Sequence, residues 1–164
     1  MTDSVEAELD HHLAGHDQAD PVVEGVLYRI IELARRHEEG QRAVAAGEGL
    51  SLADCEVILR LAHLEPADCT PGQLARLFHI TAGSMTSRLS RLESGGYLTR
   101  TVQPGNRAQI QVDLTDKGQV LHHRFADQMV DIHQEMVGGA LPAKDRATLN
   151  ELLRRVLTHV EATT

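Results

Sequence analysis

The chain has 164 residues and a mass of 18.0 kDa, room for one ordinary domain, and 41% of it is hydrophobic but only 2% aromatic, with no Trp. A core built from Leu, Val, Ile and Ala favours packed helices over a β-sandwich. Two cysteines, short apolar runs and an acidic start without an apolar h-region argue against a disulfide scaffold, a membrane span and a secretory signal and predict a cytoplasmic protein, while the formal charge of −8, taken as a whole, argues against a nucleic-acid partner.

Residues 1–20, with His11, His12 and His16 among acids, are expected to form a flexible acidic, His-rich arm. From Val22 the pairs Val22/Val23, Val26/Leu27 and Ile30/Ile31, then Ala34, recur at helical spacing. They predict a first long helix with a wide apolar stripe, weakening from Gly40 and ended by Gly49. Ser51, with Asp54 three residues on, predicts an N-cap opening a second helix through Ile58, Leu59 and Ala62.

Thr70-Pro71-Gly72-Gln73 has the residue types of a capping box, with Pro at N1. Leu74, Leu77 and Phe78 supply the inward face of that short helix, which breaks at His79-Ile80. Thr81 then caps another helix that runs to Glu93 and stops at Gly95-Gly96. Two short helices about a tight break form a helix-turn-helix pattern. Tyr97 to Val102 and the alternating Ile110, Val112 and Leu114 flank a turn, Gln103-Pro104-Gly105-Asn106-Arg107-Ala108, and predict a hairpin, or wing. Thr115 opens a long helix with Leu121, Phe125, Met129, Ile132 and Met136 on one face, ended by Gly138-Gly139. Pro142 starts the last helix, which carries Leu149, Leu152, Leu153, Val156, Leu157 and Val160.

Charge is distributed unevenly. Residues 1–24 carry seven acids and no Lys or Arg, whereas residues 71–107 carry Arg76, Arg88, Arg91, Arg100 and Arg107 against Glu93 alone. A locally basic, all-Arg segment in an acidic protein is the pattern of a phosphate-contacting surface; composition alone equally allows a solvated charged face. Periodicity separates the two. On the helix from Thr81, Met85, Leu89 and Leu92 fall at core spacing, while Ser84, Ser87, Arg88 and Arg91 form a separate stripe. Small hydroxyls beside arginines suit a DNA major groove, where the hydroxyls let the helix sit deep and Arg reads guanine or grips phosphate. Arg107 at the hairpin tip is placed to reach an adjacent minor groove. No nucleophile elbow, phosphate loop or pair of catalytic carboxylates is present, so no catalytic residue is assigned.

The runs Thr70 to Leu77, Met85 to Glu93, Gly96 to Arg100 and Val112 to Gly118 resemble the multiple-antibiotic-resistance regulator (MarR) family, in element order from about residue 22 onward. The resemblance implies a mainly α fold with a small β wing. Residues 51–118 would form a winged helix-turn-helix DNA-binding lobe, and residues 21–48 and 119–164 the dimerisation helices, within one domain spanning 21–164. It implies a homodimeric repressor on a pseudo-palindromic, double-stranded operator, contacted by Thr81, Ser84, Thr86, Ser87, Arg88, Arg91, Arg100 and Arg107. It departs at the wing: where family wings carry Asp-x-Arg, this chain has Asn106 and Ala108 with Arg107 between them. The alternative is a winged-helix protein-interaction module whose same surface binds an acidic protein.

The resemblance also implies a small anionic or phenolic effector. Likeness to the urate-responsive branch would place Glu56, Arg88 and Arg100 around it, although that branch carries an N-terminal Trp and this chain has none. No cofactor and no metal site are expected: His122 and His133 lie three turns apart on one helix, too far to share an ion. Only a meeting of His37, Glu56 or His123 across helices would change that. Cys55 and Cys69 lie beyond intramolecular disulfide reach. Cys55, near a helix N-terminus, is open to a lowered pKa and oxidation, or to the commoner role of a small buried residue.

Overall fold

The computed structural model describes residues 2–16, 18–103 and 106–163, with backbone alone for residues 7, 10, 66, 103 and 106–109. The chain divides into two compact units, residues 1–44 and 45–164.

The first unit contains α1 (Ser4–Leu13) and most of α2 (Pro21–Gly47). The expectation of an unstructured arm is corrected over α1. Asp3 caps this helix by accepting from the Glu6 N–H at 3.0 Å, and the same carboxylate takes Arg29 Nε of α2 at 2.7 Å. Val5 is buried, His12 packs its ring on Tyr28, and Val5, Leu9 and Leu13 repeat at the i, i+4, i+8 spacing of a docked helical face. Helix α2 runs through Gly40, beyond its expected weakening point. The Glu38–Arg42 ion pair spans the glycine at i, i+4, and Ala43, Val44, Ala45 and Ala46 continue the turn. Its stripe of Val22, Val23, Val26, Leu27 and Ile31 stands exposed.

In the second unit, Ser51 and Thr70 cap α3 (Leu52–Leu61) and α4 (Pro71–Leu77). The Thr70 box is only half made. Thr70 Oγ1 accepts from Gln73 N at 3.3 Å, but Gln73 Oε1 accepts from Arg76 Nε and Nη2 instead of reaching back. His79, at φ 51°, makes the turn into α5 (Ala82–Ser94). The wing pairs β1 (Leu98–Gln103) antiparallel with β2 (Asn106–Leu114), Leu98 opposite Leu114 and Val102 opposite Ile110. Val112 N donates to Cys69 O at 2.8 Å, fastening β2 to the segment before α4.

Thr115 caps α6 (Asp116–His133), which passes through a five-residue π-helical segment, Gln134–Gly138, before α7 (Ala143–Thr163). Two glycines are required at the corner before α6. Gly96 has φ +75°, and a Cβ on Gly118 would lie 2.2 Å from the Tyr97 carbonyl oxygen. The core joins Val57, Ile58 and Leu61 of α3 to Leu74, Met85, Leu89, Leu92, Leu98, Val112 and Leu121. Helix α7 contributes no buried residue, and Leu149, Leu152, Leu153, Val156, Leu157 and Val160 are exposed along it. No described helix is long and apolar enough to cross a membrane.

Candidate nucleic-acid interface

Helix α5 buries Met85, Leu89 and Leu92 completely, which turns the opposite side outward. Thr81 accepts from Ser84 N at 3.1 Å, and the two hydroxyls meet at 2.9 Å. Thr86 donates its hydroxyl to Ala82 O at 2.8 Å, leaving its methyl and remaining acceptor capacity exposed. Ser84, Ser87 and Arg91 lie exposed together.

The expected four-residue stripe is divided at Arg88. Its side chain is only 17% exposed and turns toward α3, with Nε 3.7 Å from Asp54 Oδ1. Arg91, 60% exposed, donates from Nη2 to the same oxygen at 2.8 Å. Arg100 is drawn inward as well. Its backbone N–H and Nε meet the two Glu93 oxygens at 3.2 and 2.9 Å, and Nη2 reaches Ser90 Oγ at 3.2 Å. Hydrogen bonding from Arg100 holds the Glu93 carboxyl below its usual range. Arg107 is the second residue of β2, but its side chain lies outside the described residues, as does the turn at 104–105.

The predicted effector residues occupy three settings. Glu56 lines a cleft of about 500 Å³ with Leu59, Arg60, His63, Leu77 and Phe78. Arg88 is turned to Asp54, and Arg100 to Glu93. Asp54 is the residue that sequence reasoning passed over: it looked like a helix-start acid, and its burial beside two arginines depends on the α3–α5 packing.

His63 and His122 meet Nε2 to Nε2 at 3.2 Å, with the His123 ring 5.1 Å from that of His122. Burial depresses the His122 pKa. Among the described residues, no group of three or more His, Cys, Asp or Glu side chains could hold a metal ion. Cys55 is buried, and its thiol is pushed up to about 11 by burial first and the neighbouring Asp54 charge second, which favours the small buried residue over the low-pKa thiol of the two readings left open by the sequence.

A family model described as MarR family matches residues 48–109. Over 95 residues the chain is 30% identical to the HTH-type transcriptional regulator PecS of Dickeya dadantii, covering 58% of this chain and 57% of that protein, less than two thirds of its length. Over 102 residues it is 31% identical to the multiple antibiotic resistance protein MarR of Salmonella typhimurium, covering 59% of this chain and 68% of that one. The crystal structure of wild-type MarR from E. coli in its apo form is similar with a TM-score of 0.64 at 26% identity, covering 80% of this chain and 96% of that one. Sequence and winged-helix architecture agree, and the chain belongs to the MarR family.

Proposed function

We propose that the chain is a DNA-binding transcriptional regulator that acts as a homodimeric repressor on a pseudo-palindromic operator. The observation that carries this reading is α5 itself: a face of Ser84, Thr86, Ser87 and Arg91 open to solvent, held from behind by three fully buried side chains. Dimerisation through segments 21–48 and 119–164 is supported by the aliphatic side chains standing in water on α2 and α7, which a second copy would cover. Two α5 helices would enter successive major grooves about 34–36 Å apart.

A small anionic or phenolic effector completes the reading. To engage Arg88 and Arg100 with Glu56 it must compete with Asp54 and Glu93, so occupancy would disturb contacts at the middle and in the last turn of α5. The test is titration of the full chain against its own upstream intergenic DNA and a random duplex at several salt concentrations. Preference for the intergenic duplex with steep salt dependence is expected; equal binding to both would favour a protein-interaction module.

A further inference from the structure

Asp54 stands at the third position of α3, where its backbone N–H is taken by Ser51 Oγ at 3.1 Å. A carboxylate there commonly turns back to its own helix start. This one instead faces α5, and the residue is only 5% exposed. A carboxylate removed from water needs compensating partners. Its Oδ1 accepts from Arg91 Nη2 at 2.8 Å, with Arg88 Nε 3.7 Å away. Arg91 is otherwise an exposed, rotamer-rich side chain, and a guanidinium has five N–H donors, so the bond to Asp54 engages one and leaves four on a side chain that is mostly open to solvent.

A negative charge close to a DNA-facing surface weakens attraction to phosphate. What it adds is direction: the guanidinium is tethered through Nη2 to a buried oxygen of α3. We propose that Asp54 is a positioning residue for base selection, orienting Arg91 so that it reads one base, guanine by the chemistry of its fork, in the major groove. The assignment rests on the reading of α5 as the DNA-contacting face. Arg88 packs alongside as a second neighbour of the same carboxylate.

The experiment enriches a randomised duplex library on the wild-type full chain and compares base preferences with Asp54→Asn, Arg91→Ala, Arg88→Ala and the two double variants carrying Asp54→Asn. Asp54→Asn keeps the side-chain shape and removes the charge. Its expected effect is a loss of about tenfold in preference at one base position per half-site, with affinity for random duplex unchanged or higher. In the Arg91→Ala background Asp54→Asn should add nothing to that loss, and in the Arg88→Ala background its effect should persist. An unaltered base preference in Asp54→Asn, beside an altered one in Arg91→Ala, overturns the proposal and leaves the DNA reading standing. If Arg91→Ala changes neither affinity nor preference, the assignment of this face to DNA fails with it. Should Asp54→Asn not fold, side-chain ¹⁵N relaxation of the wild-type protein decides: an ordered Arg91 Nε beside a mobile Arg155 Nε supports the proposal, and equal mobility overturns it.

Discussion

Arg100 closes on Glu93 through its backbone N–H and its guanidinium together, so one carboxylate binds the first strand of the wing to the last turn of α5. Because the Glu93 pKa is depressed in the folded state, the pair contributes its full stabilisation above the ordinary glutamate range and loses it as pH falls through the lowered value. Glu93→Gln should therefore lower the melting temperature at pH 7, with the difference from wild type shrinking in strongly acidic buffer. Thermal melts across that range check this, and a constant difference would contradict it.

Arg91 and Arg88 should separate in their effects. Arg91→Ala is expected to cost about 1–3 kcal/mol of operator binding, together with some folding stability, because it takes the hydrogen-bonded partner from the buried Asp54 carboxylate. Arg88→Ala removes a mostly buried neighbour of Asp54 and should lower folding stability by about 1–2 kcal/mol. Paired binding and urea-denaturation measurements distinguish them.

Leu153→Asp and Val156→Asp place a charge among side chains that one copy of the chain leaves exposed. Both variants should remain helical and sediment as monomers at concentrations where the wild type is dimeric. An intact dimer in both would remove α7 from the interface.

Gly118→Ala should be the more damaging of two glycine substitutions at the α5–wing corner. Its methyl would meet the Tyr97 carbonyl, with an expected cost of at least about 2 kcal/mol, whereas Gly96→Ala meets open space and strains only the backbone, costing about 1 kcal/mol. Denaturant midpoints of the two variants give the comparison.

Cys55, buried and with its thiol raised to about 11, should resist a thiol reagent at neutral pH in the native protein and react once the chain is unfolded. Rapid labelling of native Cys55, located by peptide mass spectrometry, would overturn this assignment.

The helix-turn-helix is legible in the sequence because its signals are local. Thr70, Thr81 and Thr115 act as caps within three residues, and Met85, Leu89 and Leu92 follow one helical face. What escapes is set by partners distant in the chain. Helix α1 depends on Asp3 meeting Arg29, and Arg88 leaves its expected stripe because Asp54 lies across from it. Arg100 is similar: its sequence position is that of a basic wing root, yet Glu93 and Ser90 draw it inward. Net charge tallies and periodicity contain no information about which arginine a carboxylate will select.

The start of α6 is riveted to the corner between α5 and β1. Thr115 Oγ1 donates to Gly96 O at 2.6 Å, Lys117 Nζ donates to Gly95 O at 2.7 Å, and Gly118 sits directly against the Tyr97 carbonyl. A tilt of the first turn of α6 that kept these three contacts would carry the corner after α5 with it, and the place where the regular backbone ladder is interrupted lies farther on, at the π-helical segment Gln134–Gly138 before α7.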